Sequence, residues 1–287
     1  GTSLRFDLFG NTQVKNIVII TSDAIRHNYF KIVFSQNKNI NPLRTYVESD
    51  EAFQPNYKDN QEANLDDVVS LHFNARHNTE YDFFSDAIDY LEDESNSKFL
   101  KRGEINSPSV IDEIINLNPD LIVTYGCSII KPPLIKAFEN KIINVHLGLS
   151  PYYFGSGTNF HCLANDEFQF EGYTFMYMDE GVDTGAIIHQ ARAKILPFDN
   201  PHQIGNRLIK HMTRDFINLV NNFELVVKKD KVTNAIGKTY KTKDATDKLT
   251  IRLYDNFKNG SVARYLKSES ELTKKYPLVE QSFLRTL

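Results

Sequence analysis

Two apolar runs in the middle of the chain constrain its fold more than any other feature. The run at residues 120–125 is almost continuously apolar, as expected for a strand in a parallel sheet that is covered on both faces. A predicted helix at 132–138 separates it from a second strand at 141–146. Strands that alternate with helices at these distances indicate right-handed βαβ units. The sequence therefore predicts an α/β fold with a Rossmann-like, mostly parallel sheet flanked by helices.

The remaining elements extend this pattern in both directions. Strands are predicted at 16–21, near 45–47, at 172–178 and at 186–194, and helices at 24–34, 81–91, 110–117, 158–164 and 201–220. Residues 37–78 are polar and irregular, which predicts a second strand followed by a long surface excursion. We divide the chain into a main domain at 1–225 and a short C-terminal extension at 226–287. The apolar residues of that extension pack either on their own domain or on a second subunit of a homodimer.

Composition excludes several classes of protein. With 33 Lys and Arg against 37 Asp and Glu, the chain resembles an ordinary globular protein. No stretch approaches the roughly 20 apolar residues that cross a bilayer, and the amino terminus does not resemble a secretory signal. Two distant cysteines and scattered histidines predict neither a disulfide framework nor a metal site. We expect a cytoplasmic protein without a membrane partner.

The turn after the first strand argues against a nicotinamide dehydrogenase. Residues 21–27 read Thr-Ser-Asp-Ala-Ile-Arg-His. A dinucleotide-binding fold places a glycine-rich turn at this point, so that the backbone can approach a pyrophosphate. With no glycine in the turn, we discard that function.

The strand predicted at 141–146 ends in two polar side chains, Asn144 and His146. Residues two apart on a strand point to the same side, and open parallel sheets bind ligands at the carboxyl ends of their strands. An imidazole can accept a proton from an attacking nitrogen or stabilise an oxyanion, and an Asn amide donates hydrogen bonds without titrating. The pair suits acyl transfer to an amine. On the spacing alone, a structural histidine at a strand end is the simpler interpretation.

A polar turn between two predicted strands supplies a carboxylate. Residues 178–188 read Met-Asp-Glu-Gly-Val-Asp-Thr-Gly-Ala-Ile-Ile. Gly181 and Gly185 permit positive φ and close backbone approach around Asp183. The Asp183 carboxylate could orient His146 and raise its basicity. Asp and Gly are common turn residues, so this segment alone identifies no site.

Taken together, these segments resemble the folate-dependent formyltransferases, which include glycinamide ribonucleotide, methionyl-tRNA and sugar-amine formyltransferases. Residues 142–155 and 171–188 look like the family's Asn-x-His strand, Leu-Ser-Pro loop and Asp-Thr-Gly turn, in the usual order. The resemblance covers roughly residues 15–220. It implies that Asn144, His146 and Asp183 are catalytic. It also implies that N10-formyltetrahydrofolate is the formyl donor and that no metal takes part.

Residues 123–132 resemble the strand and loop that hold the pterin ring of the folate. Because the family holds this ring largely through backbone groups, the resemblance implies folate contacts on both sides of the catalytic strand. The implied contact residues are Ser128, Ile129, Ile130, Glu180, Gly181 and Val182.

Two loops are predicted to bind the acceptor amine. The residues predicted to bind the acceptor are Arg26, His27, Tyr152, Gly155, Ser156 and Thr158. Arg26 and His27 either meet an acceptor phosphate or lie at a solvated helix start, and a capped helix start is the alternative for Thr158. Family members often have Arg before the glycine of this loop, whereas Phe154 precedes Gly155 here.

Three functions fit these observations. The first is formyl transfer to a small amine, most simply a nucleotide-linked amino sugar. The second is a methionyl-tRNA formyltransferase. The net charge of −4 argues against a nucleic acid partner, and the segment after the main domain is short for an RNA-contacting domain, so this function is less favoured. The third is a non-catalytic folate-binding or interaction protein, which the retained catalytic trio argues against and Phe154 keeps open.

Overall fold

The computed structural model describes residues 14–49, 68–181, 184–232 and 237–285. Its strands are β1 (Lys15–Ser22), β2 (Ile40–Ser49), β3 (Ser97–Lys101), β4 (Leu121–Tyr125), β5 (Ile142–His146), β6 (Tyr153–Gly155), β7 (Gly172–Tyr177), β8 (Ile187–Arg192) and β9 (Lys238–Tyr240). Its helices are α1 (Ile25–Ser35), α2 (Val68–Tyr90), α3 (Pro108–Leu117), α4 (Pro132–Ala137), α5 (Thr158–Ala164), α6 (Pro201–Asn221), α7 (Asp247–Lys258) and α8 (Ser261–Lys275).

One sheet organises the molecule, with the strand order β3-β2-β1-β4-β5-β7-β8. Strands β1 to β5 run parallel, and β7 and β8 add antiparallel pairs on one side. The strand order reverses between β1 and β4, and such a reversal opens a crevice at the carboxyl ends of the strands. The predicted α/β fold with a Rossmann-like, mostly parallel sheet is confirmed.

Helices cover both faces of the central strands. In β1, Ile17 and Ile19 join a large core that includes residues of α1 and α6, whereas Val18 and Ile20 join a smaller core with residues of α3 and α4. All four side chains are fully buried. Because neither face meets water, these strands read as continuous apolar runs rather than as alternating ones.

Capping residues fix the ends of α3 and α6. The Asn200 side chain accepts from Gln203 N and the Gln203 side chain accepts from Asn200 N, which forms a capping box at the start of α6. Ser107 caps α3 by accepting from Val110 N, and α3 ends at Asn118 in the left-handed conformation. Both helices follow the predicted ranges closely.

The region of the predicted surface excursion differs from expectation. Helix α2 begins by Val68 and runs to Tyr90, so it includes residues that we had assigned to an irregular segment. Its buried residues His72, Glu80 and Phe84 are mostly polar and give no regular apolar period. Packing against α1, α6 and α7 stabilises this helix instead. Residues 50–67 of the predicted excursion lie outside the described residues.

The C-terminal extension packs on its own chain. Leu253 of α7 and Val262 and Tyr265 of α8 are buried in the large core. Farther on, Gln190 N of β8 donates to Val279 O over 2.8 Å. Helices α7 and α8 carry these apolar residues at helical spacing among charged ones.

Within the described residues, no helix combines the length and the apolar character that a membrane span requires.

Candidate active site

A cleft of about 180 Å³ opens at the carboxyl ends of β4 and β5. Asn144 lines it together with five of the six residues predicted to contact folate: Ser128, Ile129, Ile130, Glu180 and Gly181. These residues come from three separate parts of the sequence, and the crossover geometry of the sheet brings them together. Val182 and Asp183 lie outside the described residues, so their predicted roles stay predictions.

The Asn144 amide is oriented by the neighbouring strand. Asn144 lies in register with Thr124 of β4, and Thr124 Oγ1 donates to Asn144 Oδ1 over 2.7 Å. Since the carbonyl end of the amide is engaged in this way, the NH₂ end remains to donate to a ligand. Thr124 is fully buried, and nothing in its sequence context marks it as part of a site.

His146 is 7% exposed and lies two residues beyond Asn144 on the face of the sheet that carries α3 and α4. Gly148 faces the imidazole, because a Cβ at that position would lie 2.5 Å from His146 Nε2 and 2.2 Å from Thr158 Oγ1. Thr158 Oγ1 in turn donates to Leu147 O over 2.8 Å. The absence of a side chain at Gly148 therefore leaves room for the imidazole and the start of α5 to approach each other.

Glu48, at the end of β2, holds the loop predicted to contact folate. Its carboxylate accepts from Ser128 N and Ser128 Oγ, each over 2.6 Å, and from Gly103 N over the same distance. Glu48 is 3% exposed. A single glutamate at the end of a predicted strand gives no sequence signal of this task, because its partners lie 55 and 80 residues away.

On the opposite side of the cleft, Asp179 shapes the turn that precedes Asp183. Its Oδ1 accepts from Gly181 N over 2.9 Å and from Thr184 Oγ1 over 2.7 Å. Gly185 packs so closely that a Cβ would lie 1.6 Å from Tyr177 O. The glycine at 185 is thus required by close backbone approach, as the sequence analysis expected.

Ile129 and Ile130 have different environments. Ile130 is 5% exposed and belongs to the smaller core, whereas Ile129 is 73% exposed at the cleft. An apolar side chain so exposed gains stability if a ligand covers it.

The two candidate acceptor residues after β1 have partners inside the protein. His27 is 5% exposed, packs edge-on against Tyr125, and lies so near Gly126 that a Cβ there would be 2.4 Å from His27 Nε2. Burial, with the Arg26 and Arg76 cations nearby, lowers the pKa of His27 well below its usual value. Arg26 Nη1 donates to Glu80 Oε1 over 2.9 Å. These contacts hold both side chains within the protein, and their predicted phosphate contact stays a prediction.

The four candidate acceptor-binding residues of the loop after Pro151 differ in their exposure. Tyr152 is 7% exposed and donates to Pro277 O over 3.0 Å, and Thr158 is 1% exposed. Gly155 adopts φ +94° beside Tyr240, and the backbone carbonyl oxygen of Tyr240 would lie 2.0 Å from a Cβ on Gly155. All three positions make packing or strand-pairing contacts within the chain, and their predicted contacts with an acceptor stay predictions. Of these four residues, Ser156 is the exposed one, and its backbone N donates to Tyr240 O over 2.9 Å.

Among the described residues, no three His, Cys, Asp or Glu side chains gather in a way that could hold a metal ion.

Comparison with known proteins identifies the family. The family model described as formyl transferase matches residues 48–220. The chain therefore belongs to the formyl transferase family, as the resemblance of its motifs indicated.

One sequence relative and one solved structure illustrate what the chain is similar to. The methionyl-tRNA formyltransferase of Geobacter metallireducens is 34% identical over 110 residues, which are 38% of this chain and 35% of that protein. The match thus spans about a third of the relative's length. Glycinamide ribonucleotide transformylase 1 from Symbiobacterium toebii superposes with a TM-score of 0.51 at 16% identity, covering 74% of this chain and 89% of that one. At that identity the superposition shows a shared fold.

Proposed function

We propose that this protein transfers a formyl group from N10-formyltetrahydrofolate to the amine of a small acceptor, a nucleotide-linked amino sugar. The observation that carries the proposal is the cleft at the ends of β4 and β5. There the oriented Asn144 amide lies beside five residues of the two segments predicted to contact folate, in a chain of the formyl transferase family.

The cleft suits a flat, hydrogen-bonding ring such as a pterin. Ile129, Met176 and Met178 offer apolar surface, and the backbone at 128–130 and 179–181 borders the same space. The carboxylates of Glu48 and Asp179 fix these two backbone segments by accepting hydrogen bonds from Ser128 N and Gly181 N. Ligand sites of this kind combine apolar walls with a few fixed polar groups.

The roles proposed for the side chains follow from their chemistry. Asn144 Nδ2 donates to the formyl oxygen as that oxygen gains negative charge, which lowers the barrier because the amide is already oriented. His146 lies two residues farther along the strand, where its imidazole either shares this stabilisation or accepts the proton of the attacking nitrogen. We assign to Asp183 the role of orienting His146 or helping to remove that proton. As the acceptor nitrogen bonds to the formyl carbon, the bond from that carbon to N10 of the folate breaks, and N10 takes up a proton as tetrahydrofolate leaves.

A small acceptor agrees with the charge of the chain. A net charge of −4 gives little long-range attraction for a polyanion. Methionyl-tRNA is the second candidate acceptor, because relatives at 34% identity are methionyl-tRNA formyltransferases.

The test supplies N10-formyltetrahydrofolate with a panel of nucleotide-linked amino sugars, or with methionyl initiator tRNA, and follows folate release and product mass. Turnover with an amino sugar supports the proposal, and turnover with the tRNA alone selects the second candidate. Folate binding without turnover on any acceptor would indicate a non-catalytic protein.

His146→Ala tests the assignment of the site. We expect formyl transfer to fall by roughly 10²-fold or more, with the fold retained. His77→Ala, at an exposed position of α2, is the matched control and should leave activity unchanged. Near-normal turnover in His146→Ala would refute the mechanism.

A further inference from the structure

A second cleft, of about 310 Å³, lies between α5, β9 and α7. We call it the extension cleft, because β9 and α7 belong to the C-terminal extension. His161, Tyr240, Lys248 and Arg252 are among the residues that line it. None of them was among the predicted site residues.

The extension cleft carries an excess of positive charge. Lys248 and Arg252 are both exposed, and neither forms an ion pair with the described residues. Among the described residues, Arg252 donates from Nη2 to the neutral Asn165 Oδ1, over 2.9 Å, and to no carboxylate. One carboxylate, Asp244, also lines the cleft, and its Oδ2 accepts from Lys241 N over 2.7 Å. The first turn of α7 adds the positive end of a helix dipole, although the same turn carries Asp247.

His161 adds a buried imidazole to the extension cleft. It is 3% exposed, and its ring stacks on Tyr240 with centroids 3.8 Å apart. Its Nε2 has no hydrogen-bond partner among the described residues. Leaving a buried polar nitrogen in this state is costly, and an anionic oxygen in the cleft would supply the missing partner.

The cleft lies near the candidate catalytic residues. Thr158 Oγ1 and His146 Nε2 both approach the same point in front of Gly148. His161 follows Thr158 by three positions on α5, which corresponds to a rise of about 4.5 Å along the helix. A phosphate held at His161 would therefore lie roughly one helical turn beyond the side chains that act on the amine.

We propose that the extension cleft binds the phosphate or diphosphate group of the small acceptor. Guanidinium, ammonium and imidazole donors beside a helix N-terminus are the groups that recognise phosphate esters. The cleft is small and its surplus charge is local, which favours a single phosphate ester over an RNA backbone. The acceptor role rests on the proposed function, whereas the binding of phosphate does not.

The test measures binding of pyrophosphate to the full chain by calorimetry, with no formyl donor present. Lys248→Gln/Arg252→Gln should weaken binding by about tenfold or more, because two charge-assisted contacts are lost. Lys258→Gln/Lys267→Gln removes the same charge from exposed positions of α7 and α8 outside the cleft, and should bind as the unaltered protein does. Equal weakening in the two double variants, or no binding by the unaltered protein at millimolar pyrophosphate, would overturn the proposal.

Two further measurements separate the alternatives. His161→Phe keeps an aromatic ring against Tyr240 and removes the nitrogen, so it should weaken pyrophosphate binding several-fold without unfolding the chain. An RNA hairpin that binds in a Lys248- and Arg252-dependent way, when pyrophosphate does not, would count against a small acceptor. Because neither assay requires catalysis, failure of the formyl transfer assay would leave a positive result for this cleft intact.

Discussion

Among single residues, Thr124 has the clearest indirect role in the candidate site, since its hydroxyl holds the carbonyl end of the Asn144 amide. Thr124→Val keeps the shape of the buried side chain and removes this hydrogen bond. We expect kcat to fall by about tenfold, with little change in KM for the folate donor, because the amide loses its orientation rather than its contact with substrate.

Thr124→Ser supplies the control for this prediction, as it retains the hydroxyl. It should restore most of the activity in steady-state assays. If the Val and Ser variants lose activity equally, packing at this position matters and the orientation of Asn144 does not.

Glu171 is a second residue with a measurable effect, here on stability. Burial raises its pKa to about 8, while Cys162 Sγ donates to its carboxylate over 3.2 Å. Between the ordinary glutamate pKa and 8, the folded protein holds a proton that the unfolded chain releases. The free energy of unfolding should therefore fall as pH rises from about 5 to 8, by on the order of 3 kcal/mol from this group.

Glu171→Gln removes that proton-binding site and preserves the hydrogen bond from Cys162. Urea unfolding at several pH values should show a flatter dependence in the variant than in the unaltered protein across this range. Parallel curves would mean that Glu171 is ionised in the folded protein.

At the scale of elements, one phenol hydroxyl joins three helices. Tyr254 Oη of α7 lies 3.2 Å from His72 Nδ1 of α2 and 2.8 Å from His202 Nε2 of α6. Burial lowers the pKa of His72 to about 4 and that of His202 to about 3, so both rings are neutral at pH 7 and need a neutral partner.

Tyr254→Phe leaves the two buried imidazoles without this partner. We expect the free energy of unfolding to fall by about 1–3 kcal/mol, as measured by chemical denaturation. Tyr90→Phe, at a position that is 84% exposed, should change it little. A loss no larger than that of Tyr90→Phe would show that water replaces the hydroxyl.

Elements also differ in how far the sequence predicts them. Helices α3 and α6 combine caps with a regular apolar face, so their ends follow from local residues. The first half of α2 and strand β3 have weak patterns, because one packs through polar side chains and the other buries only Leu100. Their structure depends on neighbours that sequence spacing does not reveal.

For the whole molecule, the C-terminal extension and the sheet share one core. Leu249, Leu253 and Leu284 pack in the same cluster as residues of β1 and β5. Gln281 Nε2 donates to Ile188 O over 2.9 Å and to Val227 O over 2.8 Å, which ties the chain end to the edge strand. We therefore expect calorimetry to show one cooperative unfolding transition for the full chain.

Removal of the extension, residues 226–287, should expose that core and leave a chain that aggregates or lacks near-ultraviolet dichroism. Gln281→Ala is the milder comparison and should lower Tm without splitting the transition. A truncated chain that unfolds cooperatively near the original Tm would show that the two parts fold separately.

The order of apolar runs determined the α/β fold and the strand that carries Asn144 and His146, whereas the resemblance to the formyl transferase family implied the two segments that border the cleft. These features are local in sequence, because strand periodicity and turn chemistry depend on adjacent residues. Only the tertiary structure decided that Thr124 orients Asn144, that Glu48 holds the 128–130 loop, and that β9 and α7 form a cleft beside α5. Those contacts join residues 20 to more than 80 positions apart, and the side chains involved acquire their roles from partners that folding brings together.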